Sequence, residues 1–419
     1  MKVITITNAY TWYNKGDAGI LLGVVETLKK SFKGEELRIN VLSFTPEEDS
    51  KRYCKDSTIQ RVESNVLNPH PYKHTKVGKT VAMAKLVLRM GRLFIGMKLW
   101  RKRTIRREPA LRLLDESDVI IVCGGGFLGG KKYDSLMHVF QIYIDTLFNR
   151  PVILMGTSVE PMGRGLIRRK TEKALRRVTH VFAREEITCK YLETFLAREK
   201  VTLAPDMAFI LGEKKPRIKL DSGFKAECRQ ICGITLRDWN FPRSDNPTQA
   251  REQYIGAIIN MMDELTDRGI GFVFVPQVMV QYADDAEVAK EVRAKLKNPK
   301  MFEIVEADLS PEEIKGLIAE FDFFVGTRMH SNIFAMSVGV PTVAIAYEKK
   351  TNGIMEMVDG SMKKYVIEIE DVTGESLVRK VDKMIEEQTK IRTILEKRIT
   401  ELRTAMVVKY NIKELVCEG

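Results

Sequence analysis

FDFFVGTRMHSNIFAMSVGVPTVAIAYEKK, residues 321–350, decides how this chain folds. Phe321 to Val325 is short, apolar and aromatic, with one Asp, which predicts a buried strand. Gly326 and Thr327 turn the chain. From Ser331 to Val338 the apolar spacing is helical, and Gly339 and Pro341 follow in the order that ends a helix. Thr342 to Tyr347 is a second apolar strand. Strand, helix and strand in this order make one unit of a parallel sheet. The loop entering the helix carries Arg328 and His330, with Ser331 beside them. Lys349 and Lys350 follow the second strand. Ligands in open α/β sheets bind beyond the carboxyl ends of the strands, so both groups project into one crevice. A helix N-terminus with an arginine beside it favours an anion. Taken singly, Arg328 reads as readily as a capping or salt-bridging residue, and His330 as an ordinary loop histidine. The lysines on the neighbouring strand end tip the pair towards a bound anion.

The same grammar extends in both directions. Lys2 to Thr7 is a strand, Asn8 to Gly16 a loop, and Ala18 to Lys30 an amphipathic helix with Ile20, Leu21, Val24, Val25 and Leu28 apolar. Asn14-Lys15-Gly16-Asp17 therefore sits at a helix N-terminus. Gly16 permits close backbone approach, and Asp17 either caps the helix or accepts a proton. Arg38 to Phe44 is a second strand, and residues 45–78 read as polar and irregular. Asp118 to Cys123 is a strand running into Gly124, Gly125 and Gly126, a glycine-rich strand-end loop with bare backbone at the crevice. It is not GxGxxG, and alone it is weak support for phosphate. Pro151 to Gly156 is a strand followed by loop. His180 to Ala183 is a strand ending at Arg184, on the same edge as the three glycines.

Glu213 to Lys225 is polar and reads as a linker. Ile231 to Leu236 opens a second set of strands with Arg237 at its end. Ser310 before Pro311-Glu312-Glu313 marks a helix start. The expected architecture is α/β, with two Rossmann-like doubly wound domains facing a cleft. Residues 1–212 form the first, with a basic helical insertion at about 45–110. Residues 226–375 form the second, and 376–419 a helical tail.

Composition narrows the function. The 419 residues are 44% hydrophobic and 30% charged, enough for two cores. Of the formal net charge of +12, ten units lie between Lys79 and Arg107, a stretch with no acidic residue; the rest of the chain carries +2. The basic character is thus one local feature. Lys85, Arg89 and Arg92 fall at helical spacing among many apolar residues. That is the pattern of a helix lying on an anionic membrane surface, or of a helix packed on its own domain with a solvated basic face. No groove-reading motif or aromatic interleaving supports nucleic acid. The six cysteines include no CxxC, so zinc is not expected, and they suit a reducing compartment. His70 and His74 invite a metal reading, but Pro69 and Pro71 deny them one helical face and no third ligand is evident. The N-terminus reads as a strand rather than a leader, and no run of about 18 apolar residues predicts a membrane span. A cytoplasmic protein is expected.

GTRMHSNIFAMSVGVPTVAIAYEKK, together with YNKGDAG at residues 13–19, resembles the polysaccharide pyruvyl transferases. The R-x-H-S element ahead of G-V-P and A-Y-x-x-K carries most of the likeness, which runs from Asn8 to about Met357. The resemblance implies the two-domain fold shared with many glycosyltransferases, called GT-B. It also implies a reaction: the pyruvyl group of phosphoenolpyruvate passes to two hydroxyls of one sugar, forming a ketal and releasing phosphate. His330 is then the acid that protonates the donor's methylene carbon, and Asp17 the base or sugar-hydroxyl contact. Arg184 and Arg328 hold carboxylate and phosphate in forked hydrogen bonds. Lys349, Lys350 and Arg237 add charge. Ser331, Asn14, Gly16, Gly124, Gly125 and Gly126 complete the substrate contacts. No metal or cofactor is implied beyond the donor itself. The acceptors of such enzymes are often lipid-linked, which fits a peripheral protein on the cytoplasmic face of the inner membrane, attached through Lys79–Arg107. The alternative is a nucleotide-sugar-dependent glycosyltransferase of the same fold. Many of these hold the ribose with a Glu where this chain has Phe334. A third class is a non-catalytic anion-binding or membrane-docking protein, which would release no phosphate from donor and acceptor.

Overall fold

The computed structural model describes residues 1–68, 76–129, 134–280 and 284–417. These divide into two compact units. One holds residues 1–12, 20–207 and those from 406 onward; the other holds residues 13–19 and 208–405. Both units are Rossmann-like, and each is built on one parallel sheet.

The first unit's strands are β1 (Lys2–Ala9), β2 (Leu37–Ser43), β3 (Ile59–Ser64), β4 (Val119–Leu128), β5 (Val152–Val159), β6 (His180–Ala183) and β7 (Val201–Leu203). Their order across the sheet is β3-β2-β1-β4-β5-β6-β7. Every pairing is parallel. All eight residues of β5 are buried, which explains its unbroken run of uncharged residues: a central parallel strand has no solvent face. The second unit's strands are β8 (Gln230–Thr235), β9 (Ile270–Phe274), β10 (Phe302–Ile304), β11 (Phe323–Gly326), β12 (Thr342–Ala346) and β13 (Val366–Glu368). They run β10-β9-β8-β11-β12-β13, again all parallel. In both sheets the strand order reverses once, between β1 and β4 and between β8 and β11. Ligands of open α/β sheets bind at such switch points.

Several local expectations change. The stretch expected to be irregular contains helix Pro46–Tyr53 and strand β3, which pairs with β2. Its polar sequence hid both, since β3 is an edge strand with only Ile59 buried. His70 and His74 lie outside the described residues. The triple glycine is not a loop. Gly124, Gly125 and Gly126 lie inside β4, which still pairs with β5 at Gly125↔Thr157 and Leu128↔Val159. A Cβ at Gly124 would fall 2.8 Å from the Gly156 carbonyl carbon, so this glycine serves strand-to-strand contact. Likewise Gly156 does not open a loop but lies within β5, at φ 66°. The capping box at Ser310 is formed: Ser310 Oγ accepts from Glu313 N, and Glu313 accepts from Ser310 N. Beyond Gly374 the helical pattern resolves into Gly374–Glu386 and Gln388–Lys409.

Helix Lys76–Leu99 packs on the first unit's core through Leu86, Met90, Leu93 and Met97. Its opposite side carries Val81, Leu88, Ile95 and Leu99, exposed at 48, 73, 49 and 61%. Among the described residues, seven of the twelve exposed large apolar side chains fall between Val81 and Trp100, too many in one place to be scatter. No described helix is long and apolar enough to cross a membrane.

Candidate active site

The second unit's site grows from the ends of β8 and β11, at its switch point. After β11, Thr327 turns the chain. Its N–H donates to Thr235 Oγ1 at 3.1 Å and its hydroxyl to the Thr235 carbonyl at 2.8 Å. Tyr254 then donates to Thr327 Oγ1 at 3.2 Å. Ser331 Oγ donates to the Arg328 carbonyl at 2.6 Å and accepts from the Thr235 hydroxyl at 2.8 Å. Fully buried, Ser331 thus fixes the turn that carries Arg328.

Arg328 is closed on Asp285. Its Nε and Nη2 donate to the two carboxylate oxygens in a fork, the Nε bond at 3.1 Å. Asp285 is 2% exposed and also accepts from Val278 N at 3.1 Å. Burial raises the Asp285 pKa against the pull of Arg328. Burial also pulls the Arg328 pKa down, but Asp285 outweighs it and leaves it above the ordinary value. The salt-bridging reading of Arg328 is therefore the one observed, with a partner 43 residues upstream.

Arg237, after β8, is the contrasting cation. Its guanidinium carbon lies 4.1 Å from the Tyr347 ring centroid and 4.6 Å from that of Trp239. Among the described residues it makes no ion pair. Burial lowers its pKa, and the neighbouring Arg328 lowers it further. The two rings also pack on each other, with centroids 4.8 Å apart, so the guanidinium lies against both of them from one side.

His330 lies in the first turn of helix Met329–Ser337 rather than in a loop. Its ring rests on Gly16: a Cβ there would stand 2.5 Å from His330 Cγ and closer still to Nδ1. One turn on, a Cβ at Gly19 would meet the Phe334 ring at 2.8 Å. The two glycines let helix Lys15–Ser31 begin directly against helix Met329–Ser337. Further backbone bonds hold the 13–19 segment in place. Lys15 N donates to the Gln277 carbonyl at 2.8 Å, and Met279 N to the Tyr13 carbonyl at 2.9 Å. Lys15 Nζ, with its side chain wholly buried, pairs with Asp308 at 2.5 Å. Asn14 Nδ2 donates to Asp17 Oδ2 at 2.5 Å, so Asn14 and Asp17 brace one another across the helix start. His330, Gly16 and Asp17 are thus brought together.

Lys350 is the second residue of helix Lys349–Val358 and pairs with Glu348 at 2.5 Å; the Lys349 side chain lies outside the described atoms. Arg184 belongs to the first unit. It is 1% exposed and donates to Ser158 Oγ at 2.6 Å and Asp206 Oδ2 at 2.7 Å. The triple glycine is also in the first unit, with Gly126 exposed. Asp285, Trp239, Tyr254 and Asp308 escaped the sequence reading, and Tyr347 entered it only as a strand end. Only Trp239, two residues past Arg237, offered a local signal.

A family model described as polysaccharide pyruvyl transferase matches residues 14–349. The amylovoran biosynthesis protein AmsJ of Erwinia amylovora is 23% identical over 422 residues, covering 95% of this chain and 97% of AmsJ. UDP-GlcNAc 2-epimerase from Neisseria meningitidis, solved with UDP-GlcNAc, superposes with a TM-score of 0.57 at 12% identity, covering all of both chains. A putative UDP-N-acetylglucosamine 2-epimerase from Listeria monocytogenes gives 0.57 at 10% identity, over 94% of this chain and 91% of that one. The likeness to these epimerases is one of fold, the GT-B type.

Proposed function

Because the chain belongs to the polysaccharide pyruvyl transferase family, we propose that it transfers the pyruvyl group of phosphoenolpyruvate to two hydroxyls of one sugar. The sugar belongs to a cell-surface polysaccharide or its lipid-linked precursor. The observation that carries this reading is Arg237, an arginine lying against two packed rings and without an ion pair among the described residues. Beside it stand the Arg328–Asp285 pair and, four positions past β11, His330. Arg237 takes the donor's carboxylate or phosphate in a forked contact. The Arg328–Asp285 pair carries almost no net charge and serves to hold the turn.

His330 gives a proton to the methylene carbon, which becomes the methyl group. The neighbouring carbon becomes oxocarbenium-like, and one sugar hydroxyl adds to it, losing its proton to Asp17. The C–O bond to phosphate then breaks, the second hydroxyl adds and loses its proton to the now neutral His330, and the ketal closes. Phosphate leaves with the donor's bridging oxygen. General acid catalysis of the first step is worth roughly 10²–10⁴-fold.

Phe334 is wholly buried against Gly19. It offers no acceptor for a ribose, which weighs against the nucleotide-sugar alternative. Peripheral attachment is part of the same reading: the exposed apolar side of helix Lys76–Leu99, flanked by Lys85, Arg89 and Arg92, suits an anionic membrane and a lipid-carried acceptor. The deciding experiment is a thermal-shift comparison, backed by phosphate release with donor plus acceptor. Stabilisation by phosphoenolpyruvate above any nucleotide sugar is expected. Preferential stabilisation by a uridine or guanosine diphosphate sugar would replace this reading with the glycosyltransferase one.

A further inference from the structure

A second basic segment follows β5. From Arg164 to Arg177 there are seven Lys or Arg and one acidic residue, Glu172. The near-neutral balance outside Lys79–Arg107 concealed it, because acidic residues elsewhere offset its charge. Helix Leu166–Leu175 lies within this segment and buries Thr171, Ala174 and Leu175. Leu166, Arg169, Lys170 and Lys173 recur at helical spacing on the other side, and all four are exposed. Arg176 and Arg177, just beyond the helix, are exposed as well. Glu172 is taken by Arg168 at 2.6 Å. Among the described residues, Arg169, Lys170, Lys173, Arg176 and Arg177 make no ion pair. Arg169 and Lys173 are like charges four apart, which destabilises a helix. A face that merely meets water mixes both signs. This one carries a single sign.

Ring contacts join this face to the basic helix already described, at the end of helix Asp134–Asp145. The Arg177 guanidinium carbon lies 5.5 Å from the Tyr143 ring centroid. Phe94, from helix Lys76–Leu99, packs on the same Tyr143 with centroids 6.1 Å apart. Arg101, which opens helix Arg101–Arg107, lies over Phe148 at 5.1 Å. Phe148 stands just past the end of helix Asp134–Asp145. Three basic segments thus meet around one helix end. Arg101 and Arg177 remain exposed while they cover these rings. Between Phe94 and Arg101 the chain adds exposed Ile95, Leu99 and Trp100.

We propose that the outward face of helix Leu166–Leu175, with Arg176 and Arg177, is a second contact of this unit with an anionic bilayer, continuous with the one at helix Lys76–Leu99. The inference deepens the peripheral attachment proposed above and rests on it. Charge alone suits any polyanion. The apolar patch joined to the charge selects lipid. A hydrated acidic glycan or a nucleic acid would leave Ile95, Leu99 and Trp100 in water, whereas a bilayer takes them in, and a tryptophan beside basic residues sits at headgroup depth. A single helix on a bilayer leaves the unit free to roll about that helix's axis. A second contact, made through charge, removes that freedom.

The test is co-sedimentation of the full chain with vesicles of phosphatidylserine and phosphatidylcholine, beside a binding assay with alginate, an acidic polysaccharide. The combined Arg169→Gln, Lys170→Gln, Lys173→Gln variant leaves the Arg168–Glu172 pair and the ring contacts intact. It should bind the vesicles roughly 10²-fold more weakly than the wild type. If it fails to fold, Lys170→Gln with Lys173→Gln takes its place, with a loss of roughly tenfold expected. Undiminished vesicle binding overturns the second contact; should the Lys85→Gln, Arg89→Gln, Arg92→Gln variant still lose binding, attachment through helix Lys76–Leu99 stands without it. The reverse pattern keeps the second contact and removes the first. No binding of the wild type to these vesicles overturns both, and stabilisation by phosphoenolpyruvate, measured on the same protein, judges the pyruvyl-transfer reading separately. Tighter binding to alginate than to vesicles, lost in the Arg169, Lys170 and Lys173 variant, would assign the face to an acidic glycan and overturn the bilayer.

Discussion

A guanidinium laid flat against two packed rings makes a contact that a point charge cannot. Arg237→Lys keeps the charge but loses the planar contact with Trp239 and Tyr347. Phosphoenolpyruvate affinity should fall by roughly tenfold, and further in Arg237→Ala, as titration calorimetry can measure. Arg328→Ala acts differently, because it strands a buried carboxylate. The loss should appear as stability, on the order of 3–5 kcal/mol in urea unfolding, rather than as selective loss of donor binding. His330→Gln keeps a hydrogen-bond donor without a transferable proton. Turnover should drop by roughly 10²-fold or more with donor affinity nearly unchanged; near-normal turnover would leave His330 a binding residue only. Gly16→Ala should share that kinetic loss and also lower stability, because a methyl group there meets His330 as far back as its Cβ, at 2.7 Å, and forces the two helix starts apart. Arg328 and His330 were legible because they share a strand-to-helix turn with a helix stop nearby. Asp285 was not legible as a partner, since nothing local ties it to a residue 43 positions later.

Among the elements, the apolar strands were readable because a parallel sheet buries them completely. The polar edge strand β3 and the glycine run inside β4 were not. In both, pairing with a neighbouring strand overrides a composition that suggests loop. Of the two readings the sequence of helix Lys76–Leu99 allowed, packing on its own domain is observed, and membrane attachment remains a proposal. The helix packs on its own unit and still shows solvent an apolar face beside basic residues. Replacing Lys85, Arg89 and Arg92 with Gln should weaken co-sedimentation with phosphatidylserine vesicles by roughly 10²-fold. Unchanged binding would make the helix purely structural.

Helix Asp134–Asp145 carries two buried groups whose titrations oppose. Burial raises the Asp145 pKa to about 7, so its contribution to stability is full in acid and lost as pH rises through about 7. Burial lowers His138 to about 3, so its contribution is full above the ordinary imidazole range and lost as pH falls towards about 3. Between those limits the slopes offset one another. Asp145→Asn removes one of them. Urea midpoints should then rise with pH across the acidic range in the variant but stay nearly level in the wild type.

For the molecule as a whole, two parallel sheets of Rossmann order were foreseeable from one strand–helix–strand unit and its repetition along the chain. What no window of sequence announces is which faces stay uncovered, because that depends on what every other element has already claimed. The outward side of helix Lys76–Leu99 is such a face, and it separates two kinetic roles. Charges act at a distance of about 8 Å at physiological salt, before any contact is made, whereas apolar side chains act only after they touch. On a supported anionic bilayer, the Lys85, Arg89 and Arg92 variant should therefore arrive late but linger normally. A Leu88→Ser, Ile95→Ser variant should arrive on time and leave early.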